Sequence, residues 1–294
     1  MTGPTGVGKS SLAVALAERL DGEILGADAF QIYAGLPVLT AQASPEQLAA
    51  VPHHLVGFLG LKEKFDAARY AKAAREAIAA IQSRGKLPIL VGGTGLYLKA
   101  LTHGLAEMPP VDPNLRVRIS SLTLEAAVAE LGEADFEALG KIDLKNPVRV
   151  RRALEIVLQT GRPLADSRGA WSHESQKFRG LVLVREREDL HARIEVNVAQ
   201  MLASGAIEEV RQATLAGDGA RRAIGFRDIE DFLAGKTSLQ ACRVAMATAT
   251  KQYSKRQLTW CRTQFNFPTL DLTTIPHPES ALSRALEILA TQAP

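Results

Sequence analysis

With 294 residues, 46% of them hydrophobic and 23% charged, the chain has enough apolar mass for one large domain or two smaller ones, which excludes wholesale disorder. A net charge of +3 is compatible with a polyanionic partner but does not demand one. Cys242 and Cys261 form no C-x-x-C pair, no apolar run reaches the ~18 residues of a membrane span, and no basic-then-apolar leader opens the chain, so zinc, disulfide and membrane classes are set aside and a cytoplasmic protein is expected.

The run Gly3-Pro4-Thr5-Gly6-Val7-Gly8-Lys9-Ser10 fits G-x-x-x-x-G-K-[ST], a phosphate-cradling loop. Its glycines let backbone N–H groups converge on an anion, Lys9 adds a point charge, and the Ser10 hydroxyl is suited to Mg²⁺. Ser11 to Leu20 carries apolar residues at helical spacing, which brings the positive end of a helix to the same place. Such a loop normally follows a buried strand, yet two residues precede it here. The expectation is a start upstream of Met1, with a segment from elsewhere in the chain as the other way to fill the slot.

Glu23 to Ala27 reads as a strand ending at Asp28, and His54 to Phe58 as a second strand. Asp66 to Arg84 places Ala67, Tyr70, Ala71, Ala74, Ala77, Ile78 and Ile81 on one helix face, with Gly85 as the stop. Leu87 to Val91 (LPILV) is a continuous apolar run, the pattern of a central parallel strand buried on both faces, and Gly92-Gly93-Thr94 follows it. The order predicts an α/β fold: a P-loop NTPase-like parallel sheet flanked by helices.

The character changes at Met108-Pro109-Pro110. From 111 to 169 only short helical stretches are expected, one begun by Asn146-Pro147 and ended by Gly161, so this region is read as a helical insertion in a core made of 1–110 and 170–294. Phe178 to Val184 returns as a strand. Helices are expected over Asp189–Ala203, Ile207–Ala216, Asp228–Ala234 and Ser238–Gln264, with no internal repeat.

A phosphate loop alone does not choose between kinase, hydrolase and transferase. A nucleotide hydrolase would end LPILV in a carboxylate; here a threonine hydroxyl stands there. The carboxylate at a predicted strand end is Asp28, suited to indirect metal binding or to general-base work, and spacing does not decide between them. Three basic groups suit a polyanion backbone, or a solvated face: Arg149, Arg151 and Arg152; Arg221, Arg222 and Arg227 around Gly225; and Lys251, Lys255, Arg256 and Arg262, with no acid between 251 and 262.

In order, GPTGVGKS, EILGADAFQIYAG, PHHLV, GKLPILVGGTGLYLKAL, RALE with TGRPL, RRAIGFRD and KQYSKRQLTWCR resemble the tRNA dimethylallyltransferases (tRNA isopentenyltransferases) over essentially the whole chain. The resemblance implies transfer of a dimethylallyl group from dimethylallyl diphosphate to N6 of the adenosine 3′-adjacent to the anticodon (position 37), in tRNAs reading codons that begin with U. Diphosphate is released. It implies that Gly3, Pro4, Thr5, Gly6, Val7, Gly8, Lys9 and Ser10 hold the diphosphate with Mg²⁺ on Ser10. Thr94 would bond the bridging oxygen, its other role being to cap the helix that follows. Asp28 would be the general base beside a flipped-out adenine.

It also implies that Ala29, Phe30 and Gln31 contact that base, although Phe30 and Trp260 also suit the core. Arg149, Arg151, Arg152, Arg222, Gly225, Arg227, Lys255, Arg256 and Arg262 would contact the tRNA, with the insertion clamping the anticodon stem-loop of a monomeric enzyme. The chain departs from the family pattern in having Ala29 for the usual serine, Leu39-Thr40-Ala41-Gln42-Ala43 for GTAKP, Gly57 at a usually acidic position, and Asp143 to Pro147 in place of a clean HPND. Three other readings stand beside this one: an adenylate isopentenyltransferase acting on free nucleotides, a small-molecule P-loop kinase, and a non-enzymatic RNA-binding relative.

Overall fold

Helix α1 (Lys9–Leu20) begins where Gly8 turns the chain into the left-handed region at φ 110°, which a side chain would oppose. It buries Leu12, Ala13, Leu16 and Ala17, one face at helical spacing. Strand β1 (Gly22–Gly26) is buried along its whole length. Helix α2 (Pro45–Ala50), entered through a Ser44–Gln47 capping box, leads to the two-residue strand β2 (His53–His54). Helix α3 (Ala67–Ser83) starts on Asp66, whose side chain accepts the Arg69 N–H, and buries Tyr70, Ala71, Ala74 and Ile81. Strand β3 (Leu87–Val91) and helix α4 (Gly95–His103) follow.

The structure, a computed structural model, describes residues 1–104, 112–167, 178–275 and 277–292. The chain divides into two compact units, Met1–Thr102 with Gln176–Pro294, and His103–Ser175. The Met108-Pro109-Pro110 junction and the boundary near Gly169 lie outside the described residues.

The second unit is helical: α5 (Pro113–Ser121), α6 (Leu124–Ala134), α7 (Phe136–Leu139), α8 (Pro147–Thr160) and α9 (Leu164–Ser167). Asp112, Thr123, Asp135 and Asn146 cap four of these helices with their side chains, and Gly161 ends α8 at φ 62°. Ile119, Leu131, Val150, Leu154 and Leu164 form its core.

The first unit resumes with β4 (Val182–Val184), α10 (Arg187–Ala203), α11 (Ala206–Gln212), a 3₁₀ turn at Ala220–Arg222, α12 (Phe226–Leu233), α13 (Leu239–Gln264), β5 (Thr269–Asp271) and α14 (Pro278–Ala290). Strands run in the order β2-β1-β3 and β4-β5, all parallel, with Ile24 opposite Ile89 and Leu183 opposite Leu270. Thr2 joins the two groups, bridging Gly92 on one side and Val182 on the other. Its N–H donates to Leu181 O at 2.9 Å and its carbonyl accepts from Leu183 N at 2.8 Å. Met1 and Thr2 thus supply the rungs of the central position from which the phosphate loop departs. Leu16, Ile32, Leu36, Leu183, Ile194 and Phe226 belong to the core packed beneath.

Four expectations are corrected. The stretch His54 to Phe58 is strand only at His54, because Leu55 and Gly57 both take φ 58° and the Gly57 and Phe58 N–H groups donate to Gln31 and Ile32 carbonyls. LPILV is not buried on both faces: Leu87 is exposed and the rest half-buried, since Met1 and Thr2 pair only beside its C-terminal half. Before Val182 the chain is irregular, and the Gln292 side chain bonds both the N–H and the carbonyl of Gly180 instead of a neighbouring strand. Helix α11 stops at Gln212, and Leu215 beyond it points to solvent.

Candidate functional site

The phosphate loop is shaped by what presses on it. A Cβ on Gly3 would fall 2.6 Å from the Leu183 carbonyl, so β4 leaves room there only for glycine, and one on Gly6 would crowd the Ile194 side chain at 3.1 Å with the backbone at φ 85°. Val7 is fully buried, anchoring the loop in the core. Lys9 Nζ donates to Gly3 O at 3.0 Å and to Pro4 O at 2.8 Å. Arg193 Nε donates to Gly6 O and Arg185 Nε to Val7 O, both at 3.0 Å. The carbonyls of Gly3, Pro4, Gly6 and Val7 are therefore held by cations, which makes the loop a positive basin. Burial lowers the Lys9 ammonium to about 8, opposed by the charge of Asp28. Ser10 is exposed in the first turn of α1.

Asp28 follows the C-terminal end of β1, and Thr94 follows that of β3. The segments are stitched together: Ala27 N donates to Val91 O at 2.8 Å, Thr94 N to Ala27 O at 3.1 Å, and Ala29 N to Thr94 Oγ1 at 2.9 Å. The Thr94 side chain is thus turned to Ala29. Asp28 Oδ1 accepts from Phe30 N at 2.9 Å and Gln31 N at 3.3 Å, which fixes its rotamer. Tyr70 stacks on Tyr97 with ring centres 4.2 Å apart, and Phe30 lies 6.2 Å from Tyr253. Burial raises both the Tyr97 and Tyr253 phenols; the Asp28 charge comes next for Tyr253, which is pushed up to about 12, while for Tyr97 it follows that of Tyr33. An aromatic wall whose hydroxyls keep their protons therefore stands within the field of Asp28.

The remaining sequence-predicted residues fare differently. Phe30 is half-buried against the main core. The Gln31 amide nitrogen donates to Thr40 O at 3.2 Å and Ala41 O at 2.7 Å, fastening the loop that departs from the family pattern. Gly225 starts α12 at φ 90°, where a Cβ would meet Met246 Cε at 2.4 Å; Arg222 and Arg227 beside it are exposed. Lys255, Arg256 and Arg262 are exposed on α13, with Arg256 over the Tyr253 ring at 5.7 Å, whereas Lys251 pairs with Glu195 at 2.5 Å. In the second unit Arg149 is exposed. Arg151 bonds Leu122 O at 2.8 Å and Arg152 pairs with Glu155 at 2.9 Å, so these two are already used within the helical unit. Trp260 is half-buried, its ring against Gly95 and edge-on to Phe265.

Sequence reasoning missed three residues bonded to the loop, Arg185, Arg193 and Gln257, and Tyr253 near Thr94. Tyr253, Gln257 and Cys261 recur every four residues on the inward face of α13. That spacing is legible in the sequence, although the cations flanking it mark the outer face of the same helix.

The sequence profile described as IPP transferase matches residues 31–264. The "tRNA dimethylallyltransferase 1" of Citrifermentans bemidjiense is 42% identical over 264 residues, covering 88% of this chain and 86% of that protein. The tRNA dimethylallyltransferase of Akkermansia muciniphila is 38% identical over 289 residues and covers 98% of both. Among solved structures, a eukaryotic dimethylallyltransferase described as acting on tRNA aligns with a TM-score of 0.81 at 27% identity over 97% of this chain and 76% of that one, and the tRNA isopentenylpyrophosphate transferase of Bacillus halodurans with a TM-score of 0.72 at 31% identity over 98% and 95%.

Proposed function

The chain belongs to the IPP transferase family, and we propose that it is a tRNA dimethylallyltransferase, moving the dimethylallyl group of dimethylallyl diphosphate onto N6 of the adenosine 3′ to the anticodon. The observation that carries this reading is the joining of two strand ends beside the cationic loop. Ala29 N–H bonds Thr94 Oγ1 at 2.9 Å, and the Asp28 charge is felt at Lys9. This supports reading the loop as the site of a leaving anion and Asp28 as the carboxylate base, since no carboxylate ends β3.

In this reading residues Gly3 to Ser10 hold the diphosphate, with Lys9 drawn from its carbonyls to the anion. The Thr94 hydroxyl, whose oxygen already accepts from Ala29, would turn its proton from the neighbouring Tyr253 phenol to the bridging oxygen. The C1–O bond breaks with its electron pair leaving on diphosphate, the N6 lone pair forms the new C–N bond, and the N6 proton passes to Asp28. Tyr97 and Tyr253 keep their protons and so do not compete with Asp28 as bases. Among the described residues no cluster of three His, Cys, Asp or Glu is placed to cage a metal. The exposed Ser10 hydroxyl would hold Mg²⁺, whose chemistry when bound would be to neutralise the departing charge.

Arg149, Arg222, Gly225, Arg227, Lys255, Arg256 and Arg262 are the residues we assign to the tRNA, with Ala29, Phe30 and Gln31 at the base and Arg151 and Arg152 shaping the helical insertion. The reading includes a monomer working in the cytoplasm. No described helix is long and apolar enough to cross a membrane. The test is competition: labelled dimethylallyl diphosphate and Mg²⁺ offered unmodified tRNA and AMP together. Label in the tRNA is expected; label in AMP alone would move the protein to the adenylate isopentenyltransferases.

A further inference from the structure

Helix α13 pushes one uncharged side chain between the phosphate loop and the end of β3. Gln257 is only 4% exposed. Its Oε1 accepts the Thr5 N–H at 2.8 Å and the Thr5 hydroxyl at 3.0 Å. A backbone N–H can only donate, so the amide orientation is fixed, with oxygen toward Thr5 and nitrogen away from it.

Nε2 then lies over Gly93, where a Cβ would come within 2.1 Å of it. It makes no hydrogen bond of normal geometry among the described residues, the Tyr253 phenol oxygen being its one near neighbour of suitable chemistry there. A buried amide nitrogen without a well-placed acceptor is costly, and the exceptions in native proteins call for a ligand or a function. Its surroundings say which ligand. Thr5 belongs to the anion loop, Gly93 immediately precedes Thr94, and the Tyr253 phenol, one turn earlier on the same helix face, is turned to both Thr94 and Gln257. An anion reaching from Lys9 to Thr94 passes this nitrogen.

We propose that Gln257 is a diphosphate-binding and positioning residue: Oε1 fixes the Thr5 edge of the loop, and Nε2 donates to a diphosphate oxygen. The inference rests on the diphosphate reading above and extends it to a helix distant in sequence. Glutamine is suited to the task where glutamate is not, because a second oxygen in place of Nε2 would repel the anion. Lys255 and Arg256 precede Gln257 on α13, so one rigid turn carries both the outward cations and the inward amide.

The test is calorimetric titration of inorganic pyrophosphate with Mg²⁺ into the wild type, Gln257→Glu and Gln257→Met. Gln257→Glu keeps an acceptor for Thr5 and replaces the donor by a repelling charge, and Gln257→Met removes the donor without adding charge, so a purely structural role predicts weaker binding in Gln257→Glu alone. The proposal predicts a Kd for pyrophosphate raised about 10–100-fold in both variants, the loss expected of a hydrogen bond to a charged group. It also predicts a matching rise in KM for dimethylallyl diphosphate, with tRNA affinity unchanged. Wild-type pyrophosphate affinity in folded Gln257→Met overturns it. Should that variant not fold, wild-type protein labelled with ¹⁵N-glutamine serves: the Gln257 side-chain amide resonance must move as pyrophosphate is added, and a stationary resonance overturns the proposal. Failure of the wild type itself to bind pyrophosphate would remove the diphosphate reading instead.

Discussion

Thr94 Oγ1 accepts the backbone N–H of Ala29 at 2.9 Å, joining the residue after Asp28 to the loop after β3. The bond uses the threonine oxygen as acceptor and leaves its proton to donate. Thr94→Val removes both roles with nearly the same volume and orphans the Ala29 N–H. A drop of about 10–100-fold in kcat/KM is expected, from one lost charge-assisted bond plus a loosened Asp28 turn. Thr94→Ser should recover most of it in the same kinetic assay; an equally impaired serine variant would assign the effect to packing by the methyl group.

Asp28 is held by two backbone N–H groups on one oxygen, so removing its charge should not unfold the loop around it. Asp28→Asn keeps those acceptor bonds but no longer takes the N6 proton. Single-turnover prenyl transfer is expected to slow by about two to four decades, with pyrophosphate and tRNA affinities little changed. Turnover near the wild-type rate would take the general-base role away from this residue.

Lys255 and Arg256 are exposed and adjacent on α13. If both meet tRNA phosphates, the double alanine variant weakens binding to all tRNAs alike. The plot of log K against log salt should become shallower by about 1 per lost contact. Lys251, already paired with Glu195, is the control, and its alanine variant should leave the slope unchanged.

Away from the site, Glu23 is buried on β1 and hydrogen-bonded by Arg84 and then by His54, which together lower its carboxyl to about 2. A carboxylate depressed in the fold stabilises it above its unfolded value near 4.5, and that stability is lost as pH falls toward 2. Urea unfolding as a function of pH should show stability declining through this window. Glu23→Gln should be less stable at neutral pH and flatter below pH 4.5; the same acid slope in both proteins would assign it to other groups.

The anion loop and Asp28 were legible in the sequence because each is local: eight consecutive residues in one case, a strand end in the other. Asn146, Pro147 and Gly161 were legible for the same reason, since capping is decided within one helical turn. What escaped depends on partners far along the chain. Gln257 gains its meaning from Thr5 across 252 residues, and Thr94 from Ala29 across 65. Strand β5 is a three-residue edge strand with one buried side chain, too short for a pattern to show. The shortened β2 follows from left-handed Leu55 and Gly57, and a leucine there gives no warning of a positive φ.

The central claim is that the cationic loop grips a leaving diphosphate while Asp28 faces an extruded adenine. It is tested most directly by incubating the protein with labelled dimethylallyl diphosphate, Mg²⁺ and unmodified tRNA, then mapping the label by nuclease digestion and mass spectrometry. The account predicts label on N6 of the adenosine next to the anticodon. Unlabelled tRNA, together with transfer of the terminal phosphoryl group of ATP to an acceptor, would contradict it.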